Sequence, residues 1–400
     1  MIGEIKKLAK EYEQEIIDQR RHFHKNPETS WNEVETTRHI VEELKKLGCE
    51  NIQVGFGGTE CGVAADITGS GDDGNSKRVA LRADIDALPL NDEKDVPYKS
   101  QKAGAMHACG HDAHAAMLLG AAKILTKIKG NLKGKVRLLF QPAEEHGIKS
   151  GAKAMIDGGA LEGVSAVFGI HVMSPIPSGE LQYRAGPFMA AADGWELVIT
   201  GKGGHGSTPE SALDPTIAAF QIGSTLQTIV SREISPKDTV VVSVGGIRTS
   251  SYVFNVIPER VEMTGSVRTF RTEAQDHVRE ALGRIVSGIC ESTRCKAEFK
   301  YIPIIPVTVN EPQTTELAKS VAEAVLGADS VKESELVMGS EDFSYYSKVA
   351  PSVFVNLGVG NAEKKSDIPH HSPRFDVDES ALYLGAALHA SFAWSCLEQK

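Results

Sequence analysis

The chain has 400 residues, of which 41% are hydrophobic and 24% are charged. This composition is typical of an ordinary folded protein and excludes collagen, coiled coils and extended disorder, while the length predicts two or three domains. The formal net charge of -10 at pH 7, without any block rich in Lys and Arg, argues against a surface for nucleic acid or anionic membrane.

The N-terminal segment predicts a helix rather than a targeting signal. Ile2, Ile5, Leu8, Tyr12 and Ile16 recur on one helical face among charged residues, so the segment lacks the apolar core of a signal peptide. No stretch approaches the roughly 18 apolar residues of a membrane span. We therefore expect a cytoplasmic protein. The chain has six cysteines, which are too sparse for a disulfide scaffold.

Residues 1–186 alternate helices with short apolar strands, which is typical of a doubly wound, mostly parallel α/β sheet. The predicted strands are 63–67, 79–81, 136–140 and 164–170. Residues 113–128 are apolar on nearly every side and predict a helix buried within this domain.

The following segment changes to a βαββαβ order, which predicts an inserted ferredoxin-like domain. Its predicted strands are 195–200, 239–245, 260–270 and 297–302, and its predicted helices are 215–230 and 273–290. The first pattern then returns, with a helix at 312–326, a strand at 352–357 and a last helix from residue 379. We therefore predict a discontinuous catalytic, metal-binding domain of residues 1–186 and 303–400, interrupted by a domain of residues 187–302.

Residues that can bind a metal follow the predicted parallel strands. Ligands bind beyond the carboxyl ends of the strands in such sheets. The donors at these ends, with one further pair near the C-terminus, are Asp84 and Asp86; His107, Cys109, His111, Asp112 and His114; Glu144, Glu145 and His146; His171; and His370 with His371. Thiolate, imidazole and carboxylate groups suit zinc-like divalent ions, and no serine lies in a G-x-S-x-G nucleophile motif. We predict that a subset of these residues binds metal.

The number of donors favours two ions over one. A single catalytic ion uses about three protein ligands, whereas two ions use about four to six. Five donors are available in Cys109, His111, Glu145, His171 and His371. The adjacent Glu144 and Glu145 need different roles, one as a ligand and the other as the base that takes a proton from water. The residue types alone leave open which glutamate has which role.

Six motifs, in this order along the chain, resemble those of a known family. They are RADIDALP, MHACGHDAHAAM, FQPAEE, G-x-H-V after a strand, GGHGSTP and HSPRF, between about residues 20 and 390. Together they resemble the amidohydrolase branch of the dinuclear metallopeptidases related to carboxypeptidase G and aminoacylase. This branch includes hippurate hydrolase, indole-acetyl-amino-acid hydrolases and N-acyl-amino-acid amidohydrolases.

The resemblance implies a role for each donor. It implies that Glu144 is the base, and that two divalent ions are held by Cys109, His111, Glu145, His171 and His371. His371 is preferred to His370 because it directly precedes Ser372 and Pro373. Zinc or manganese is expected, with cobalt and nickel as further candidates.

The chain departs from the wider family at two positions. Where that family has H-x-D-x-V-P, this chain has Asp84-Ile85-Asp86-Ala87-Leu88-Pro89, and Cys109 replaces a bridging aspartate. Both departures place the chain in the amidohydrolase branch. They leave Asp84 and Asp86 as residues that orient the metal ligands, with a structural turn before Pro89 as the alternative.

Residues 201–206, GKGGHG, match the dinucleotide-binding pattern G-x-G-x-x-G, but their context does not. That site needs its last glycine to open a helix and an acidic residue about 20 positions later, whereas Ser207, Thr208 and Pro209 intervene here and the next predicted strand ends without a carboxylate. A nicotinamide-dependent oxidoreductase is therefore disfavoured. The family resemblance instead implies that His205 reaches the active site of a partner subunit and stabilises the oxyanion.

Arg268 lies on a predicted strand whose alternation points Val261, Met263 and Val267 inward and Arg268 to the open face. A guanidinium there can bind a substrate carboxylate, and a solvated surface charge is the alternative. The family resemblance implies substrate binding by Arg268 and by Asn255 in FNVIP.

These observations predict a metal-dependent amidohydrolase that cleaves the amide bond of N-acyl amino acids, using water activated by the metals and a glutamate as general base. A dipeptidase or carboxypeptidase of the same family and a non-catalytic binding protein are the alternatives. The expected partners are an N-acyl amino acid or short peptide as substrate and a second copy of the chain, with neither nucleic acid nor membrane. We expect the inserted domain to form the homodimer and to act as a lid over the site.

Overall fold

The computed structural model describes residues 1–72, 74 and 76–399. Its strands are β1 (Glu50–Val54), β2 (Val63–Thr68), β3 (Arg78–Asp84), β4 (Lys135–Gln141), β5 (Val164–Pro177), β6 (Leu181–Tyr183), β7 (Gly186–Met189), β8 (Ala191–Thr200), β9 (Gly204–His205), β10 (Val240–Thr249), β11 (Val256–Ile257), β12 (Arg260–Thr269), β13 (Lys296–Ile305), β14 (Thr308–Asn310), β15 (Val331–Glu333) and β16 (Ser352–Gly360). Its α-helices are α1 (Ile2–Glu11), α2 (Glu13–Lys25), α3 (Val34–Lys46), α4 (His111–Lys127), α5 (Gly151–Asp157), α6 (Pro215–Thr225), α7 (Thr272–Ser292), α8 (Pro312–Leu326) and α9 (Leu382–Glu398).

The chain divides into two compact units. The larger consists of Met1–Gly186, Val309–Glu335 and Asp342–Lys400, and the smaller of Pro187–Thr308 and Leu336–Glu341. The observed bounds therefore differ from the predicted ones at residues 303–308 and 336–341. Strand β13 continues to Ile305, and the Ala190 N–H donates to the carbonyls of Val337 and Gly339, both at 3.0 Å, so these segments join the smaller unit.

The larger unit is built on an eight-stranded sheet of order β1-β2-β4-β3-β5-β16-β6-β15. Strands β4, β3, β5 and β16 are parallel neighbours, whereas β1, β2 and β6 introduce antiparallel pairs. The central strands are buried along almost their whole length, and α4 and α9 are buried on nearly every side. Uniformly apolar strands and helices require cover on all sides, so the predicted mostly parallel α/β sheet is confirmed.

Several helix boundaries differ from the prediction; α6, for example, ends at Thr225 rather than at residue 230. The N-terminal apolar face is divided between α1 and α2 at Tyr12, and both helices bury apolar residues, Ile5 in α1 and Ile16 in α2. The last α-helix begins at Leu382, because residues 379–381 form a 3-10 turn whose Ser380 N–H is capped by the Asp378 carboxylate at 3.1 Å.

The smaller unit contains β8, α6, β10, β12, α7 and β13 in chain order. These four strands form an antiparallel sheet of order β10-β12-β8-β13, so the first and third of them, β8 and β12, are central. Apolar residues of one sheet face pack against α6 and α7 around Trp195, Leu197 and Met263. This is the ferredoxin-like unit that the βαββαβ order predicts.

The helices of the described residues bear on whether the chain spans a membrane. Of these helices, none combines the length and the apolar composition that crossing a bilayer demands.

Candidate metal centre

The predicted metal-binding residues of the larger unit lie together at one edge of the sheet, near the strands β3, β4 and β5. Asp84 ends β3 in register with Gln141, which ends β4 shortly before Glu144 and Glu145. The adjacent β5 continues to Pro177 rather than ending at residue 170 as predicted, so His171 lies within this strand, two residues after Gly169, which pairs with Arg82 of β3. Because parallel strands deliver their carboxyl ends to one edge of the sheet, residues distant in sequence become neighbours there.

Gly110 brings α4 close to β5. Its φ of 89° lies in the left-handed region, and a Cβ at this position would lie 2.3 Å from Cγ2 of Val172. Glycine alone permits both the conformation and the approach. The turn places Cys109 and His111 on either side of Gly110, and Sγ of Cys109 lies 3.6 Å from Nε2 of His171.

The predicted donors form overlapping groups whose ligand atoms lie within 4.8 Å of one another. The groups that concern the predicted ligands are Cys109 with His111 and His171, Cys109 with Glu145 and His371, and His111 with Glu144 and Glu145. Cys109 is common to the first two groups. The structure therefore brings all five predicted ligands and the predicted base into one cluster of thiol, imidazole and carboxylate groups, a donor set suited to zinc-like ions.

Two buried atoms of this cluster fit the binding of a cation. Among the described residues, Nε2 of His111 and Oε1 of Glu145 have no hydrogen-bond partner. Their neighbours are Oδ2 of Asp84 at 3.5 Å from His111 and Nε2 of His371 at 3.4 Å from Glu145. Because buried polar atoms are nearly always paired, lone pairs left open toward a shared space suit a metal ion.

The electrostatics of the cluster also favour bound cations. Burial opposes the charge on the His111 ring, yet the carboxylates of Asp84, Asp86 and Glu145 outweigh it and raise the pKa of His111 to about 10. Burial, followed by Glu145 and other carboxylates, raises the pKa of the Cys109 thiol well above its usual range. A divalent ion would replace these protons and balance the same negative charge.

His171 has the opposite environment. Burial, followed by the neighbouring His114 and His370, lowers its pKa well below the usual range. The ring is therefore neutral, which is the form that binds metal.

The geometry distinguishes the two adjacent histidines near the C-terminus. Nε2 of His370 donates to the carbonyl of Val172 at 2.9 Å, so this nitrogen is occupied. His371 has a left-handed φ of 63°, and its N–H donates to the carbonyl of Ala108 at 2.8 Å. The left-handed backbone and this hydrogen bond place His371, rather than His370, in the group with Cys109 and Glu145.

Asp84 and Asp86 contact the proposed ligands. Nδ1 of His111 lies 3.1 Å from Oδ1 of Asp86, and the Glu145 N–H donates to Oδ2 of Asp86 at 3.0 Å. Asp84 pairs with Arg82 at 2.8 Å and with Nδ1 of His114 at 2.5 Å. Carboxylates in these positions orient ligands and fix the tautomer of the ring that they accept from.

The other histidines and Asp112 have different surroundings. Nε2 of His114 accepts from the Val172 N–H at 2.8 Å, so both of its ring nitrogens are used. Asp112 is buried against Arg20, and His146 is exposed, with its Nδ1 accepting from the Lys149 N–H. His107 is buried, and burial lowers its pKa to about 3. None of these four belongs to the three groups of predicted ligands.

The remaining predicted site residues belong to the smaller unit. His205 in β9 pairs with Val256 in β11, and the adjacent Gly206 N–H donates to the carbonyl of Asn255 at 2.8 Å. Both His205 and Asn255 are exposed. Nη1 of Arg268 donates to Oγ of Ser340 at 3.0 Å. The roles of these three residues stay predictions.

The G-x-G-x-x-G segment does not form a dinucleotide-binding turn. Its residues Gly204 and His205 form a strand, and the next helical element is a 3-10 turn at Pro209–Ser211. The α-helix N-terminus that would receive a pyrophosphate is missing at that point of the described chain.

Sequence reasoning missed three residues that contact this region. Arg82 lies two residues before Asp84 on the same face of β3, a spacing that could have indicated the pair. Ser30 donates to Oδ2 of Asp86 at 2.7 Å, and Glu33 accepts from the Ala143 N–H at 2.8 Å. Both lie far from their partners in sequence, and no local pattern indicates these contacts.

Comparison with known proteins agrees with this architecture. Residues 80–395 match the model of peptidase family M20/M25/M40. Thermostable carboxypeptidase 2 of Saccharolobus solfataricus is 41% identical over 394 residues, with 98% of each chain covered. N-acetylcysteine deacetylase of Bacillus subtilis is 41% identical over 389 residues, covering 97% of this chain and 98% of the relative.

A solved structure gives the same result. The crystal structure of a dinuclear metal-binding peptidase of the M20 family from Bacillus subtilis has a TM-score of 0.85 and 36% identity, covering 98% of this chain and 99% of that chain. The family resemblance predicted from six motifs is therefore confirmed. The chain belongs to peptidase family M20/M25/M40 and is a metal-dependent hydrolase of amide or peptide bonds.

Proposed function

We propose that this enzyme hydrolyses the amide bond of N-acyl amino acids, with Glu144 as general base. The observation that carries the proposal is the pair of adjacent glutamates beside the donor cluster. The carboxylates of Glu144 and Glu145 and the ring of His111 offer ligand atoms within 4.8 Å of one another. The relative named N-acetylcysteine deacetylase, 41% identical, supports an acylated amino acid as the substrate class.

Each residue of the cluster has a proposed task. Cys109, His111, Glu145, His171 and His371 would hold two divalent ions, zinc or manganese with cobalt and nickel as further candidates, while Asp84 and Asp86 orient the ligands. When bound, such ions supply Lewis-acid polarisation of the scissile carbonyl and lower the pKa of water. The Glu144 carboxylate takes the proton of the attacking water and returns it to the nitrogen of the leaving amino acid.

The smaller unit supplies the proposed contacts to the rest of the substrate. Arg268 would bind the free carboxylate of the amino acid that hydrolysis releases, and Asn255 would make a further polar contact to the substrate. His205 would donate to the oxyanion in the active site of a partner subunit. This requires a dimer, which we propose to form through the smaller unit, with that unit also acting as the lid.

The surface of the smaller unit supports a dimer with a second copy of the chain. Tyr252 and Phe254 are fully exposed in the segment that leads to Asn255, and Phe220 of α6 is two-thirds exposed. Strand β10 is an edge strand of its sheet. Exposed aromatic groups and an unpaired strand edge mark surfaces that other chains cover.

A carboxypeptidase is the second candidate, because thermostable carboxypeptidase 2 is also 41% identical to this chain. Both activities would use the same cluster and differ in the group on the acyl side of the bond. A panel of hippurate, N-acetyl amino acids, dipeptides and longer peptides distinguishes them through kcat/KM. Preference for peptides over N-acyl amino acids would favour the second candidate.

The variant Glu144→Gln tests the assignment of the base. We expect kcat to fall by roughly 10²–10⁴-fold, the usual contribution of a general base, while the metal content per chain stays that of the wild type. Activity is followed with the preferred substrate of the panel, and metal by elemental analysis. Loss of metal together with activity would instead make Glu144 a ligand, and full activity would remove it from the mechanism.

A further inference from the structure

Glu33 is a buried carboxylate that supports the backbone directly before the two glutamates of the site. It lies immediately before α3 and is 0% exposed. Its Oε1 accepts from the Ala143 N–H at 2.8 Å, across 110 residues of sequence. Ala143 is followed by Glu144 and Glu145, so Glu33 contacts the backbone directly before this pair.

The backbone at this contact is unusual. Ala143 has a φ of 51°, in the left-handed region, and its side chain is fully buried. A residue other than glycine in this region is strained and persists only where neighbours hold it. The carbonyl of Ala143 accepts from the Gly151 N–H at 3.3 Å, so the hydrogen bond from the Ala143 N–H to Glu33 is the shorter of these two bonds to the residue.

The segment that carries Glu33 is itself held in an uncommon conformation. Trp31 has a φ of 66°, which is an outlier for so bulky a residue, and its indole N–H donates to the carbonyl of Lys149 at 3.0 Å. Ser30 donates to Asp86, and Asp86 accepts from the Glu145 N–H. Ser30 and Glu33 thus lie on either side of Trp31; Ser30 reaches the Glu145 N–H through Asp86, and Glu33 contacts Ala143 directly before the glutamate pair.

We propose that Glu33 is a positioning residue, whose carboxylate holds the Ala143 peptide and thereby aims Glu144 and Glu145 in different directions. The proposal rests on the proposed function, in which Glu144 is the base and Glu145 a ligand. A carboxylate is costly at this place, since burial and then the charge of Asp86 raise the pKa of Glu33 to about 7. An apolar residue would avoid that cost but would leave the buried Ala143 N–H without its acceptor.

Two variants with side chains of similar size test whether the oxygen that accepts from the Ala143 N–H is needed. Glu33→Gln keeps an oxygen that can accept from Ala143, whereas Glu33→Met fills the same space without one. We expect Glu33→Met to lower kcat about 10–100-fold with KM and metal content near wild type, as for other residues that orient a catalytic group. Glu33→Gln should restore kcat to within about threefold of wild type.

A variant in the same segment serves as the structural control. The Glu28 carboxylate accepts from the N–H and hydroxyl of Thr36, at 2.9 Å each, and so supports α3 rather than the glutamate pair. Glu28→Ala should lower the Tm without changing kcat. Glu33→Ala, which adds a cavity, should give the same kcat as Glu33→Met and a lower Tm.

The outcomes separate this inference from the proposed function. Wild-type kcat in a folded Glu33→Met or Glu33→Ala variant would overturn the positioning role, as would equal kcat losses in Glu33→Met and Glu33→Gln. A kcat loss in Glu28→Ala matching that of Glu33→Met would show a general effect of the segment and also overturn it. If Glu144→Gln were fully active in the same assay, the proposed function itself would fail.

Discussion

The predicted metal ligands of the larger unit and the functional candidates of the smaller unit are held in opposite ways. His111 and Glu145 are tied to Asp86, and the chain around them adopts left-handed turns at Ala143 and His371. In contrast, His205 is exposed on the two-stranded ribbon of β9 and β11, and the exposed Asn255 directly precedes β11. The contrast indicates that the larger unit holds the predicted ligands close together through its own contacts, whereas the proposed roles of His205 and Asn255 involve a partner subunit and substrate.

The largest expected effect comes from removing the donor that two ligand groups share. Cys109→Ala should abolish stoichiometric binding of both ions, because Cys109 belongs to both groups that would hold them. Losing several kcal/mol of electrostatic stabilisation should lower kcat at least roughly 10³-fold. Elemental analysis and kinetics measure both effects, with Cys290→Ala, a buried cysteine of the smaller unit, as the control. Full metal content in Cys109→Ala would show that the thiol is not a ligand.

A mixing experiment tests whether the second group acts in a partner subunit. His205→Ala should lower kcat about 10²–10³-fold, the usual cost of one oxyanion donor. After subunit exchange in an equal mixture with Glu144→Gln, half of the dimers carry one complete site, so activity should return to about a quarter of wild type. Light scattering checks that the mixture is dimeric. A mixture no more active than the sum of its parts would place His205 and Glu144 of one chain in the same site.

The variant Asp86→Asn tests whether His111 and Glu145 need the Asp86 carboxylate to bind metal. Asp86 accepts from His111 with Oδ1 and from the Glu145 N–H with Oδ2. The asparagine amide has only one oxygen and no charge, so it cannot replace both contacts. We expect a 10–100-fold loss in metal affinity or kcat, measured by competition with a chelator and by steady-state kinetics. Unchanged affinity and rate would show that the ligands need no support from this carboxylate.

Arg268→Ala should have a smaller effect that depends on the substrate. KM should rise about tenfold for substrates with a free carboxylate and much less for the corresponding amides, because a charged hydrogen bond contributes roughly 1.5 kcal/mol or more. Arg248→Ala removes a strand arginine that pairs with Glu262 and serves as the control. Equal KM changes for acids and amides would exclude the proposed contact.

The smallest expected effect concerns stability and pH in the metal-free protein. Burial, then Asp86, raises the pKa of Glu33 from its ordinary 4.5 to about 7, so the folded state binds more protons than the unfolded state across that range. Wild-type stability should therefore fall as pH rises from about 4.5 to about 7, whereas Glu33→Gln does not titrate. The Tm of Glu33→Gln relative to wild type should increase over this window and level off above it. A constant difference in Tm would show an ordinary pKa.

Much of the fold was predictable because its signals are local. The apolar runs of β2, β4 and β16 and the capped helix α8 lie close to their predicted bounds. The boundary near residue 302 was less accurate, because the return of residues 336–341 to the smaller unit depends on pairing with Ala190, far away in sequence. The edge strand β1 and the strand β6, which lies between β16 and the other edge strand β15, were missed, since they are short or exposed and carry little hydrophobic pattern.

By itself, the sequence determined the class of chemistry, because the types of donor and their position after apolar strands are properties of short segments. It also determined the family, through six ordered motifs. Only the tertiary structure decided that Glu33 supports Ala143, and how a left-handed turn brings His371, which the motif resemblance already preferred, into the group with Cys109 and Glu145. These outcomes depend on left-handed backbone turns and on hydrogen bonds between distant segments, which form only when the packed sheet brings those segments together.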